Sequence, residues 1–232
     1  MADKTEQLND RARLYFQFGA LLFREVDANW LQAFLVDIRP QWAELGCSFD
    51  ADMDVAPQRL KEDLDTEFTT LWYAPGGIPV YESIFETGMV FQEPSDKVQE
   101  IYLKENFEFN IDEEKSFPDH AGVELEFLGR LLSRQSEALS RDDEDEAARI
   151  QGVFVDFLHK HAGRWIPAML HYSIQAAQHS FYRELCKMTL GFLLSEMEEE
   201  LPRRVRENLM ALLDREPKKM DYDADFRKAS GL

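Results

Sequence analysis

The chain has 232 residues, of which 44% are hydrophobic and 31% charged, with a formal net charge of −19. A chain of this length buries roughly 70% of the surface that its unfolded form exposes, so it builds a core without staples, and wholesale disorder is excluded. The acidity repels nucleic acid and favours cationic partners, and the only basic cluster (Arg203, Arg204 and Arg206) directly follows Glu198, Glu199 and Glu200.

Apolar residues recur with helical spacing from the start. Leu14, Phe18, Leu21 and Leu22 predict a first helix, and Leu31, Phe34, Leu35 and Ile38 a second. A third amphipathic segment starts near Pro57, where proline suits a first turn, and closes with Phe68, Leu71 and Trp72. The stretch YAPGGIPVYESIF then breaks the pattern, because Pro75, Gly76, Gly77 and Pro79 do not belong inside a helix. A short helix is predicted around Asp96 to Phe107, followed by a polar connection from Asn110 to Lys115. Longer helices are predicted at Asp119–Leu139, Glu144–His161, Trp165–His179 and Phe181–Met197, and a last one after Pro202. Gly163 and Pro167 mark a stop and a restart. Strand-like alternation is scarce, so the predicted fold class is all-α. The expected organisation is one domain over residues 1–232. Its halves, about 1–115 and about 116–215, meet at a hinge before Pro118, and 216–232 form a polar tail.

Chemistry is sparse in this pattern. Cys47 and Cys186 are the only cysteines, with no CxxC spacing, which is the usage of a reducing compartment. MADKTEQLNDRARLYFQF lacks a basic segment followed by an apolar one, and no apolar run approaches the roughly 20 residues that span a bilayer. These features predict a cytoplasmic chain without stable membrane insertion. No G-x-S-x-G is present, neither cysteine has a nearby histidine, and Gly76-Gly77 lacks the GK[ST] of a phosphate loop. Asp142 to Glu146 (DDEDE) reads as a solvated helix start, where carboxylates suit the positive end of the dipole.

His120 and Glu124 lie four residues apart on one helix face and invite a metal reading, but no second half-site accompanies them. His159 and His161 diverge on a helix, while His171 and His179 share a semi-polar stripe with Gln175. No metal, cofactor or catalytic residue is assigned. The simpler reading of FPDHAGVELEFL is a helix start: Pro118 favours the first turn, Asp119 satisfies free N–H groups, and Val123, Phe127, Leu128 and Leu131 form the buried stripe. Glu124 lies beside Leu128 and Leu131, which predicts a half-buried carboxylate in need of a partner.

Three blocks of residues resemble the TorD/DmsD/NarJ family of redox enzyme maturation proteins, the twin-arginine leader-binding chaperones of molybdoenzymes. The first is EFTTLWYAPGGIPVYESIF, with Glu67, Phe68, Leu71, Trp72, Pro75, Gly76, Pro79, Tyr81, Glu82, Ser83 and Phe85 in the matching places. The second is Tyr102, a spacer to Phe117, then Pro118, Asp119, His120, Glu124, Leu125, Phe127 and Leu128. The third is FLHKHAGRWIP followed by FYRELCKMTLGFL. The resemblance spans about residues 10 to 195. Val80 departs from the family's second proline and Phe85 from its tyrosine, and nothing after Pro202 finds a match.

The resemblance implies a TorD-like all-helical chaperone rather than an enzyme. Its expected partners are the twin-arginine signal peptide and the apo catalytic subunit of a molybdenum oxidoreductase of the DMSO reductase family. It delays export of that subunit until cofactor insertion and assembly. Molybdenum cofactor biosynthesis proteins are further candidate partners, and the state is a monomer or a helix-swapped dimer. Expected client-binding residues are Phe68, Trp72, Pro75, Tyr81, Glu82, Ser83, Tyr102, Pro118, Asp119, His120 and Glu124, the aromatics offering apolar area and the acids accepting arginine. Two rivals stay open: a general helical adaptor or holdase without leader specificity, and a helical metalloenzyme using His120 and Glu124.

Overall fold

The structure, a computed structural model, describes residues 2–90, 92–108 and 117–218. Among these residues no strand is formed, and the elements are helices, as the periodicity predicts. The expected connection from Asn110 to Lys115 and the tail beyond Lys218 lie outside the described residues.

The first helix, α1 (Ala2–Phe23), packs along α7 (Ala121–Ser140). Its buried stripe is Leu8, Ala12, Tyr15, Phe18 and Leu22, whereas Leu14, expected inside, is 40% exposed because it falls one position off that stripe. The two helices approach closely because Gly19 faces Gly122: a Cβ on Gly122 would stand 2.5 Å from the Gly19 carbonyl oxygen. Seven residues further on, Gly129 leaves room for the Phe16 ring, which a Cβ there would meet at 2.8 Å. Arg11 ties α1 to α10 (Ser180–Glu200), donating to Glu196 at 2.8 and 2.9 Å and to Glu200 at 2.6 Å.

Two segments are wound as wider π-turns, each just ahead of a proline. α2 (Ala28–Ala33), capped by the Asp27 carboxylate, runs into the π-turn Phe34–Ile38 and then α3 (Arg39–Glu44), with Pro40 in its first turn. α4 (Pro57–Phe68) continues into the π-turn Thr69–Tyr73, which ends where Ala74 goes extended before Pro75. A proline has no N–H to give to the regular ladder, and before Pro75 it also favours the extended backbone seen at Ala74, whereas Arg39 before Pro40 stays helical. Gly76 turns the chain with φ +88°, and residues 78–80 lead into α5 (Glu82–Thr87). The YESIF end of the segment expected to break the helix therefore starts a new one.

α6 (Glu93–Lys104) follows, and α8 (Glu144–Lys160) packs on α7. α9 (Ala162–Ala176) packs on α10, and α11 (Arg203–Met210) closes the described helices. The expected stop and restart at Gly163 and Pro167 moves upstream. The chain breaks at His161 (φ −125°, ψ −95°), and both residues lie inside α9. Gly163 is required there because a Cβ would collide with the Leu158 carbonyl. Ending α9 at Ala176 also separates His179 from the face of His171. His179 instead caps α10, its Nδ1 accepting the Phe181 N–H at 3.2 Å.

Candidate functional site

The three sequence blocks meet at the start of α7. Tyr81 and His120 form an isolated antiparallel bridge. Beside it, the Glu82 N–H donates to the Asp119 carbonyl and the Ala121 N–H to the Val80 carbonyl, both at 2.9 Å. Side chains complete the junction pairwise. Asp119 of the second block accepts the Ser83 N–H of the first at 2.8 Å on Oδ2. Glu82 of the first accepts from His161 Nδ1 of the third at 2.9 Å. Glu124 of the second accepts the Trp165 indole N–H of the third at 3.1 and 3.2 Å.

The cap of α7 differs from expectation. His120 performs it, its Nδ1 accepting the Gly122 N–H at 2.9 Å, while Asp119 reaches across to the start of α5. Because Nδ1 accepts, the ring proton belongs on Nε2, which lies 3.0 Å from the Tyr73 hydroxyl oxygen. Phe23 and Tyr81 each meet the imidazole edge-on at 5.0 Å, Tyr73 stacks on it at 6.5 Å, and Phe117 packs on Tyr81 at 5.4 Å. These four rings are half-buried and leave an aromatic rim around the buried histidine.

Most of the expected client-binding residues are inside the protein. Phe68, Trp72, Glu82, Ser83, Tyr102, Pro118, Asp119, His120 and Glu124 are all buried and present no open surface. Only Pro75, exposed on the turn, and the half-buried Tyr81 reach the surface. Phe68 and Trp72 spend their apolar area in the core against Tyr182, with the Trp72 indole N–H donating to Ser173 Oγ at 3.1 Å. Phe68 also touches Tyr73 at 5.3 Å, which links that core to the histidine. Tyr102 packs among Phe107, Phe127 and Phe157.

Burial governs the titration here. Glu124, expected half-buried, is wholly enclosed, and its carboxyl is held well above the ordinary value, first by burial and then by the charges of Glu82 and Asp119. Burial also raises Glu82, against the opposing pull of the His161 hydrogen bond. The Tyr81 hydroxyl is pushed up to about 12 by burial and by Asp119, and Tyr73 and Tyr102 rise for the same principal reason. An enclosed carboxylate with an indole or imidazole partner holds helices together. It offers a substrate no access.

A metal reading of His120 and Glu124 finds little support, since each is committed to different partners. Among the described residues, no group of three His, Cys, Asp or Glu side chains converges to hold an ion. No helix among them is long and apolar enough to cross a membrane. His161, Trp165 and Tyr73 were not singled out as site residues. The signal for the first two was present in FLHKHAGRWIP, the third block of the resemblance.

Comparison with known proteins agrees with these blocks. The profile of the nitrate reductase delta subunit family matches residues 37–171, which include all three pairwise contacts of the junction. The chaperone protein TorD of Vibrio parahaemolyticus serotype O3:K6 is 27% identical over 212 residues, covering 80% of this chain and 95% of that one. TorD of Vibrio atlanticus is 25% identical over 206 residues, covering 81% and 94%. The chlorate reductase assembly chaperone protein of Ideonella dechloratans is 32% identical over 116 residues, covering 49% of this chain and 58% of its own. No solved structure matches the chain.

Proposed function

Because the chain belongs to the nitrate reductase delta subunit family, we propose that it is a cytoplasmic maturation chaperone for a molybdopterin oxidoreductase, and not an enzyme. In this reading it binds the twin-arginine leader and the apo form of the catalytic subunit and delays export until the cofactor is inserted. The observation that carries the proposal is the three-block junction. Residues far apart in the chain are spent on fixing one another around His120, with a half-buried aromatic rim above them. The relatives with this match are named as chaperones or as an assembly chaperone, and none as an enzyme.

The buried acids act as scaffold for that rim. Phe23, Tyr73, Tyr81 and Phe117 present apolar area to the hydrophobic part of a leader, and the net charge of −19 steers its arginines. Rigid aromatics give contact area at a low cost in side-chain entropy. The test is calorimetric titration with a twin-arginine leader and its twin-lysine counterpart. Affinity at micromolar or tighter, about −8 kcal/mol, is expected for the first, with weaker binding for the second. Equal binding of both peptides would favour a general holdase, and no complex at any salt concentration would sink the proposal.

A further inference from the structure

The stretch after Pro202, which matches none of the sequence blocks, folds back across α5 and α9. Beyond Leu209 no described residue in it is buried, yet its course is fixed at a few points. The Tyr172 hydroxyl donates to the Asp214 carbonyl at 2.8 Å, and the Lys218 N–H to the Phe85 carbonyl at 3.0 Å. Between them, Arg215 donates through Nη1 and Nη2 to the two carboxylate oxygens of Glu86, each at 2.7 Å. Nη2 also reaches the Arg164 carbonyl at 3.2 Å, and the guanidinium carbon lies 5.3 Å from the centre of the Phe85 ring.

A carboxylate fork, an aromatic face and a carbonyl together match a planar guanidinium, and a lysine ammonium does not fill them in the same way. The receptor stands on α5, which carries Glu82 and Ser83 into the three-block junction, and on α9 of the third block. Its present occupant sits at the surface: Arg215 is only half-buried, and its Nε has no acceptor among the described residues.

The geometry points to a guanidinium-binding site, formed by Glu86, Phe85 and the Arg164 carbonyl, that receives one arginine of the client peptide and that Arg215 fills in cis beforehand. This inference rests on the proposed leader-binding role. Only one arginine docks there. The adjoining cleft, of about 210 Å³, sets Lys97, Lys160 and Arg164 against Glu82, Glu86 and Glu93, and so offers a second guanidinium no net attraction. A tethered competitor lowers the apparent affinity in proportion to the time it occupies the site.

The experiment measures binding of synthetic twin-arginine and twin-lysine leader peptides to the full-length protein and to R215A, R215K, E86Q and R215A/E86Q, with thermal midpoints to confirm folding. R215A is expected to bind the twin-arginine peptide about three- to tenfold more tightly, as is R215K, which keeps the charge but cannot form the fork. The twin-lysine peptide should not gain, E86Q should bind the twin-arginine peptide more weakly, and the double variant should lose the gain. Unchanged affinity in folded R215A, or a gain that survives without Glu86, overturns the inference while leaving the chaperone role intact. Failure of the folded wild-type and R215A proteins alike to bind the peptide overturns both.

Discussion

Replacing Glu124 with glutamine keeps the shape of the side chain and an acceptor for the Trp165 indole, but removes a titration. In the folded protein, burial and the neighbouring Glu82 and Asp119 charges hold the Glu124 carboxyl well above its ordinary value of 4.5. In the unfolded chain it releases its proton near that ordinary value. Between the two values the folded state retains a proton that the unfolded state has lost. Each unit of rising pH therefore costs up to about 1.4 kcal/mol of stability, starting as pH passes 4.5 and ceasing above the folded value. Glu82, also raised, titrates with the same sign in both proteins. Glutamine has no such cost, so the stability of E124Q relative to wild type should climb with pH. For a chain of this size the gap in Tm should widen by roughly 3–6 °C per pH unit. Thermal unfolding of both proteins at about pH 5, 6 and 7 measures it. A constant offset of either sign is immaterial, whereas a gap that does not change with pH would refute the argument.

Asp119→Ala leaves the buried Ser83 N–H without its acceptor and should cost about 1–3 kcal/mol in urea unfolding. Because the same carboxylate holds α5 in place, leader affinity should fall with it, and unchanged affinity would separate the junction from recognition. Gly122→Ala should destabilise by about 1–3 kcal/mol, since its Cβ would press on the Gly19 carbonyl at the α1–α7 crossing. Gly152→Ala serves as the contrast. It meets nothing within 4 Å on the exposed face of α8, and should stabilise by about 0.5–1 kcal/mol, read as a rise in Tm.

Local spacing was enough to determine that this chain is helical, because an amphipathic stripe repeats within a few residues and needs no knowledge of the partner it faces. The placement of α4, α8 and α10, and the need of Glu124 for a partner, were legible for the same reason. The blocks around Glu82, Asp119 and Trp165 were legible through their resemblance to a known family. What spacing cannot encode is which stripe meets which. The pairing of Glu124 with Trp165, of Glu82 with His161 and of Asp119 with Ser83 joins residues separated by 41, 79 and 36 positions, and only the packed chain brings them together. Burial of Phe68 and Trp72 follows equally from that packing. An aromatic face reads the same whether it awaits a client or a neighbouring helix, and here Tyr182 and Ser173 cover it first. The exchange of capping roles between Asp119 and His120 has the same origin, because the extended segment ahead of α5 runs alongside and brings the Ser83 N–H in the first turn of α5 within reach of Asp119, which no local rule could anticipate.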